Sequence, residues 1–327
     1  MAADDPDEAG RAGFSRFSPA RAGRSPEREA RELERAAGEP DSLRLRAHSF
    51  GPRRLLVMAI VNRTPDSFYR PGVTWDESVA MERVHQVVAE GADIVDIGGV
   101  PAGPGSDVDS GEEIRRTAGF IAGVRAAYPD VVISVDTYRH EVAREACAAG
   151  ADLINDAWGG WDPRVAEVAA EFGAGLVCAH VGPQRPRTRP LRVSYPDVMA
   201  DVLDQTLTLA RRAVRAGVDP GRIVIDAAHD FGKNTWHSLE VTRRLPEMAA
   251  TGWPVLVAVS NKDFIGEALD LPAGERVAGT LATTSVCAWL GARIFRAHQV
   301  AWTRQALDMV SAIRGALPPA RAVRGLA

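Results

Sequence analysis

The feature of this sequence that most restricts its fold is a short apolar run that recurs eight times, each time followed by an amphipathic stretch. The runs are rich in β-branched residues and almost continuously hydrophobic, which is typical of strands buried on both faces of a parallel sheet. They occupy residues 55–61, 93–97, 131–135, 153–154, 175–179, 222–226, 254–259 and 292–295. Eight strand–helix units in succession favour an α/β fold of the (β/α)8 TIM-barrel type; an open doubly wound sheet is the alternative.

The amphipathic stretches predict helices, among them a single helix over 238–250. Several stretches end in glycine, the residue that most readily adopts the left-handed conformation that closes a helix. These glycines are Gly91, Gly150, Gly173, Gly217, Gly252 and Gly291.

Residues 1–45 differ from the rest of the chain, because they consist mainly of Ala, Arg, Glu, Pro, Gly and Ser. So few large apolar side chains offer little core to offset the entropy lost on ordering. We predict a disordered N-terminal tail over 1–45 and one barrel domain over 46–327.

Charge and cysteine content restrict the partners and the compartment. The net charge of −4 predicts no long-range attraction to nucleic acid or to a membrane surface. No apolar run is long enough to span a membrane, and acidic residues stand where a secretory signal needs positive charge, so we expect a cytoplasmic protein. Cys147, Cys178 and Cys287 form no CxxC pair and fall in apolar patterns, which predicts buried thiols.

Polar side chains follow most of the apolar runs, where the predicted strands end. In a TIM barrel all strand carboxyl ends open on one face, which is where active sites lie. These side chains are therefore predicted to form one binding site. They are Asn62, Asp96, Asp136, Asn155, His180, Asp226, Lys262, Arg296 and His298.

The residue types indicate a ligand with two parts. Asp136, Asn155 and Asp226 suit a planar heterocycle with N–H donors, since a carboxylate accepts two parallel N–H bonds from an aminopyrimidinone edge. The carbonyl oxygen of Asn62 suits magnesium, which prefers oxygen ligands and often bridges diphosphates. Donors suited to phosphate oxygens are Asn62, Lys262, Arg296 and His298. His180 and His229 stay open between structural and ligand-binding roles.

Six segments follow one another in the order of known family signatures: Met58–Phe68, Gly91–Gly99, Ile133–Thr137, Ile154–Asp156, Phe231–Lys233 and Arg296–His298. Together they resemble the dihydropteroate synthases, and the resemblance extends over about residues 50–315. It implies a synthase that joins 4-aminobenzoate to a hydroxymethyl-dihydropterin diphosphate, with magnesium as cofactor and release of diphosphate. It also implies a homodimer formed through outer helices.

The resemblance assigns a role to each matching position. The pterin positions are Asp96, Asp136, Asn155, Asp226, Lys262 and Arg296. The diphosphate positions are Asn62, Arg296 and His298, with Asn62 also on the metal. Lys262 and Arg296 are the implied catalytic residues.

Two loops depart from the family pattern. After Phe68 the family continues Ser-Asp-Gly-Gly, whereas this chain has Tyr69–Gly72, with a base for the acid. After Gly99 the family has Glu-Ser-Thr-Arg-Pro-Gly, whereas this chain has Val100–Gly105, without serine, threonine or arginine. In the family these loops close over the reacting carbon and shape the aminobenzoate site. The altered loops are therefore expected to stabilise the transition state less well, while the pterin contacts stay intact.

Further departures are Ala227–Asp230 in place of a Pro-Gly turn, and Asn261 in place of arginine. Together with Val323–Ala327, the departures resemble the second dihydropteroate synthase paralogue of actinobacteria, a subfamily regarded as lacking normal synthase activity. The basic run Arg185–Arg189 is interpreted as an exposed loop, with contact to an acidic ligand as the alternative.

Three functional hypotheses follow. The first is a paralogue that binds a pterin diphosphate or a related ligand and makes little dihydropteroate. The second is a working synthase. The third is a pterin-dependent methyltransferase, which the sequence disfavours because Arg296 and His298 would then have no diphosphate to bind.

Overall fold

The computed structural model describes residues 42–64, 76–188 and 193–324, and within these ranges it contains a closed barrel of eight parallel strands. Each strand pairs with its neighbours along the chain, and the last strand pairs with the first to close the barrel. The barrel strands are β3 (Leu56–Asn62), β4 (Ile94–Gly98), β5 (Val132–Asp136), β6 (Leu153–Asp156), β7 (Gly175–Ala179), β8 (Ile223–Asp226), β9 (Val255–Val257) and β10 (Ile294–Ala297). The predicted TIM barrel is confirmed.

Helices lie between the strands: α1 (Glu77–Ala89), α2 (Ser110–Ala127), α3 (His140–Ala148), α4 (Arg164–Phe172), α5 (Val198–Arg215), α6 (Thr235–Arg243), α7 (Leu245–Ala249), α8 (Asp263–Leu269), α9 (Val277–Trp289) and α10 (Val300–Ile313). Short 3-10 turns occur at Pro220–Arg222 and Ala273–Glu275. The six glycines expected at helix ends all have positive φ.

The predicted single helix over 238–250 is wrong. Helix α6 ends at Arg243 and α7 begins at Leu245, with Pro246 in its first turn. Proline has no N–H and clashes inside a helix, but the first turn needs no such donor. Helix α8 has seven residues, too few for its periodicity to be recognised in the sequence.

The barrel strands have apolar side chains on both faces because both faces are buried. On β3, Leu56 and Met58 point into the barrel, whereas Val57, Ala59 and Val61 pack against the surrounding helices. This alternation explains the continuous hydrophobic runs, since a strand between two apolar layers has no polar face.

A hairpin of β1 (Leu43–Leu45) and β2 (His48–Phe50) covers the amino-terminal end of the barrel. Leu43 and Leu45 are fully buried in the cluster that contains Leu56 and Met58. The ordered core therefore begins earlier than the predicted boundary after residue 45, because two leucines ahead of that boundary belong to it. Burying each contributes about 1.5–3 kcal/mol. The rest of the predicted tail, residues 1–41, lies outside the described residues.

The three cysteines are buried and unbridged, as predicted, and burial raises the pKa of Cys147 and Cys287 to about 12. In the described part of the chain, every helix is too short or too polar to cross a lipid bilayer.

Candidate functional site

The carboxyl ends of the barrel strands carry the predicted site residues to one mouth. Strand register sets their neighbours: Asp136 on β5 lies between Gly98 on β4 and Asn155 on β6. Asp96 lies one step deeper, opposite Ser134. Because consecutive parallel strands are about 4.8 Å apart, side chains from adjacent strand ends reach each other directly.

Arg296 connects two acidic residues of this mouth. Its Nε donates to Asp96 Oδ2 at 2.6 Å, and its Nη2 donates to Asp136 Oδ2 at 2.9 Å. Asp96 also accepts from the Ser134 hydroxyl at 2.6 Å and from the Asn155 amide at 3.3 Å. Four strands thus contribute to one charged network, and the sequence placed four of its five members in the site. The fifth member, Ser134, was not predicted as a site residue, although it lies within the signature Ile133–Thr137.

Burial changes the acid–base properties of the mouth. It raises the pKa of Asp136 to about 7, although Arg296 acts in the opposite direction. Burial likewise raises the pKa of Asp226, and Lys262 opposes that shift. Raised carboxyl pKa values are typical of functional sites, where burial penalises the charged form.

Asp226 and Lys262 form the next part of the mouth. Asp226 Oδ1 accepts from the backbone N–H of Ala228 at 2.7 Å. The Lys262 ammonium donates to the carbonyl of His229 and lies 4.9 Å from the centroid of the Phe231 ring. Phe231 in turn contacts Trp158 edge to face, with centroids 5.0 Å apart. An aromatic wall therefore stands beside the two charged residues, which suits a flat ring.

His298 and Asn62 lie at the predicted diphosphate side. The Nδ1 of His298 is 3.2 Å from the Ser260 hydroxyl, and Arg83 donates to the His298 carbonyl at 2.5 Å. Burial, together with the charges of Arg296 and Arg83, lowers the pKa of His298 to about 4. The imidazole is thus neutral at neutral pH and donates as an N–H group rather than as a cation.

Asn62 ends β3 beside Gly98. A side chain at Gly98 would meet Asn62 Oδ1 at 3.5 Å and Asp136 Oδ2 at 3.9 Å. Two oxygen donors therefore face the space that glycine leaves open. Such a donor set fits magnesium, which takes carboxylate and amide oxygens.

A chain of polar groups that runs from buried Lys233 and His180 to exposed Asp201 was not predicted. Lys233 donates to His180 Nδ1 at 2.6 Å, and His180 Nε2 donates to Asp201 at 2.7 Å. Lys233 also donates to the carbonyls of Phe231 and Ala228 at 3.0 and 3.3 Å. Burial lowers the pKa of Lys233 to about 7. These bonds fix the loop after β8 that carries Phe231, so His180 has a structural role.

His229 is also structural. It is fully buried, its Nε2 lies 3.1 Å from the Thr242 hydroxyl, and its ring stacks on Phe264. The next residue, Asp230, accepts from the backbone N–H of Phe264 at 3.2 Å. The altered turn after Asp226 therefore packs against the start of α8.

The loop after β7 joins two other loops of the mouth. Arg187 donates to the carbonyls of Ser106 and Gly103, at 2.6 and 3.4 Å, in the loop after β4. Gln184 accepts from the backbone N–H of Gly232 in the loop after β8. The middle arginine of the basic run therefore binds protein backbone. Arg189 and the altered segment Tyr69–Gly72 lie outside the described residues.

The barrel and its mouth define a class of protein. Residues 58–298 match the family model of pterin binding enzymes, which is well over half of the chain, and the protein belongs to that family. A Mycobacterium tuberculosis protein named inactive dihydropteroate synthase 2 is 58% identical over 278 residues, which cover 84% of this chain and 87% of that protein.

Other members of the family are more distant. The dihydropteroate synthase of Bacillus subtilis is 38% identical over 262 residues, covering 80% of this chain and 89% of that enzyme. Among solved structures, the dihydropteroate synthase of Yersinia pestis in a sulfonamide complex superposes with a TM-score of 0.79 at 32% identity. That match covers 84% of this chain and 99% of the solved chain. The family resemblance seen in the sequence is confirmed.

Proposed function

We propose that this protein binds a pterin diphosphate at the carboxyl-terminal mouth of its barrel and makes little or no dihydropteroate. The observation that carries the proposal is the network of Asp96, Asp136, Asn155 and Arg296, which assembles acceptors, an amide and a guanidinium at one place. The high identity to a relative named inactive supports the second half of the proposal.

In this proposal the acidic side chains hold the heterocycle. Asp136, Asp226 and Asn155 offer oxygen acceptors and an amide to the aminopyrimidinone edge, and Phe231 closes one side. Lys262 and Arg296 donate hydrogen bonds to the pterin. Arg296 also faces the phosphates, and both cations stabilise the negative charge on the departing diphosphate.

The same proposal places the diphosphate near Asn62, Arg296 and His298. The neutral His298 donates one N–H to a phosphate oxygen, and the Asn62 carbonyl, beside the Asp136 carboxylate, would hold magnesium. When bound, magnesium would supply positive charge beside the diphosphate. The family resemblance implies a transferase of folate biosynthesis, and the chain retains the residues for the diphosphate half of that reaction.

The half of the reaction that involves the amine is weaker in this chain. The loop after β4 contains Val100, Pro101 and Ala102 in place of an acid, a serine and a threonine. These side chains cannot enclose a cation-like carbon with polar groups. Removing one such stabilising group from an active site commonly costs about 3 kcal/mol, or a hundredfold in rate.

Two measurements test this function. In calorimetry, pterin diphosphate with magnesium is expected to bind the full chain in the micromolar range, on the order of 8 kcal/mol. In a synthase assay with 4-aminobenzoate, turnover is expected to stay far below the roughly 1–10 per second usual for metabolic enzymes. Turnover in that range would instead establish a working synthase, the function named for the Bacillus subtilis relative. Absence of binding would overturn both.

We also propose that the protein forms a homodimer through α9 and α10. Helix α9 exposes Ala278, Ala282, Val286 and Trp289 along one stripe, and its apolar character continues around most of its surface. On α10, Trp302, Met309 and Ile313 are 53–62% exposed. Exposed apolar stripes on two neighbouring helices are normally covered by a partner, so a second copy is the expected cover. Light scattering is expected to give twice the chain mass, and a Val286→Glu/Met309→Glu variant is expected to be monomeric.

A further inference from the structure

A second cavity opens beside the pterin pocket. It has a volume of about 320 Å³ and lies between the loops after β4, β7 and β8 and the first turns of α8. Phe231 and Phe264 line it, and Phe231 also contacts Lys262 in the pterin pocket. The two sites therefore share an aromatic wall, and the volume is large enough for a ligand of one ring.

Its walls are held by hydrogen bonds between loops. Gln184 and Gly232 both line the cavity, and the Gln184 side chain accepts a hydrogen bond from the Gly232 backbone N–H. Tyr195 donates to the Gly232 carbonyl at 2.6 Å. Arg187 holds Gly103, which lines the opposite side. The cavity is thus a built feature of the mouth rather than a gap between unrelated loops.

The basic residue among the described lining residues is poorly placed to bind an anion. Lys233 is 7% exposed, and its ammonium donates to His180 Nδ1 and to the carbonyls of Phe231 and Ala228. An ammonium has three N–H donors, and these three hydrogen bonds use all of them. Burial also lowers the pKa of Lys233 to about 7, which reduces its mean charge near neutrality.

The acidic residues of the cavity are better placed to meet a ligand. Asp263 and Glu267 stand one turn apart on α8, and both line the cavity. Asp263 is 58% exposed on its side chain and pairs with Arg276, which approaches from outside the lining at 2.8 Å. Glu267 accepts from the Thr235 hydroxyl. Each carboxylate has further lone pairs, so both remain able to accept from a ligand.

Asp230 also lines the cavity, but its oxygens already accept hydrogen bonds from the protein. Its oxygens accept from the Ser238 hydroxyl and from the Phe264 backbone N–H, and burial raises its pKa. Asp263, which Arg276 partly neutralises, and Glu267 are therefore the carboxylates that a ligand in the cavity meets.

We infer that this cavity takes a neutral or positively charged ring ligand with an amine or amide group, and that it disfavours a ring carboxylate such as 4-aminobenzoate. The inference rests on the proposed function in one respect: it names the chemical class of the ligand that lies next to the pterin. Charge, in addition to the altered loops, then separates this chain from an aminobenzoate-using synthase.

The test uses three ligands that share one ring and differ in charge: 4-aminobenzoate, 4-aminobenzamide and 4-aminobenzylamine. Each is titrated by calorimetry into the full chain at low ionic strength, with 6-hydroxymethylpterin in the pterin pocket to exclude turnover. The benzylamine and the benzamide are expected to bind about tenfold more tightly than the benzoate, since one unfavourable charge contact near a protein surface is of that size. Benzoate binding as tightly as the benzamide, or no binding by any of the three, would overturn the inference.

A variant identifies the source of the preference. Glu267→Gln is expected to improve benzoate binding by about threefold and to leave benzamide binding unchanged. The matched control is Glu171→Gln, which removes an exposed carboxylate of α4 that pairs with Arg144. An equal change in both variants would contradict the assignment to Glu267.

The same titrations without hydroxymethylpterin separate this inference from the proposed function. If the pterin does not bind, the proposed function fails, but the order of the three ligands in the cavity still decides the inference. If the pterin binds and the benzoate is the preferred ligand, the inference alone fails.

Discussion

The two sides of the barrel mouth are built in different ways. On the pterin side, side chains bind side chains: Arg296 connects Asp96 and Asp136, and both carboxylates belong to barrel strands. On the side of the second cavity, the contacts between loops run largely through backbone groups, as where Arg187 binds the carbonyls of Gly103 and Ser106.

This difference explains why the loop after β4 departs from the family pattern while the charged network does not. Removing one partner of a buried ion pair lowers the free energy of unfolding by about 3–5 kcal/mol. Substitution on the pterin side therefore reduces stability as well as binding. A backbone carbonyl is present whatever the side chain, so the loop after β4 tolerates new residues. The charged network of the pterin side is therefore constrained by folding, whereas the loop after β4 is free to change.

The largest effect is expected from Asp96→Ala. It removes the partner of Arg296, Ser134 and Asn155 at once, in a fully buried position. We expect the free energy of unfolding to fall by about 3 kcal/mol in urea titrations, because Arg296 keeps only Asp136 as an ionic partner while Ser134 and Asn155 lose a buried acceptor. Pterin diphosphate affinity is expected to fall by at least about a hundredfold. Asp308→Ala, which removes an exposed carboxylate paired with Arg304, serves as the control and should change neither value.

A smaller effect on pterin diphosphate affinity is expected from Asp136→Asn, and it should appear in how that affinity changes with pH. Burial raises the pKa of Asp136 to about 7, so in the free protein this carboxyl keeps its proton up to higher pH than usual. If the ligand binds the ionised form, affinity rises with pH below 7 and levels off above it. Between pH 6 and 8 we expect an increase of about tenfold, one decade per pH unit below the pKa.

The amide of the Asp136→Asn variant does not titrate, so this variant should give weaker and pH-independent binding over the same range. An unchanged slope in that variant would assign the pH dependence to another group, such as Asp226, whose pKa burial also raises.

The smallest effect on pterin binding is expected from Arg187→Ala. It removes hydrogen bonds to the loop after β4 but touches no charged residue of the pterin side. Pterin diphosphate affinity is expected to change by less than about twofold, whereas cleavage of residues 100–107 in limited proteolysis should accelerate. The exposed Arg185 provides the control, since Arg185→Ala should leave the cleavage rate unchanged. A large loss of pterin affinity in Arg187→Ala would show that the two sides are coupled.

The sequence by itself determined the architecture and most of the polar residues that meet at the barrel mouth. Eight apolar runs became eight barrel strands, because a strand covered on both faces must be apolar on both faces. The polar residues at the ends of those runs converge because parallel strands in a closed sheet end on one side. These are properties of local pattern and of connectivity, both of which are visible in the order of residues.

Tertiary structure alone decided which side chains bind each other. Arg296 and Asp96 are 200 residues apart, and Lys233 and His180 are 53 apart, so no local pattern pairs them. The hairpin of β1 and β2 was not predicted for the same reason. Leu43 and Leu45 are buried only because they pack against the end of the barrel interior. The raised pKa of Asp136 and the lowered pKa of Lys233 likewise come from desolvation, which depends on everything packed around a group and not on its neighbours in the chain.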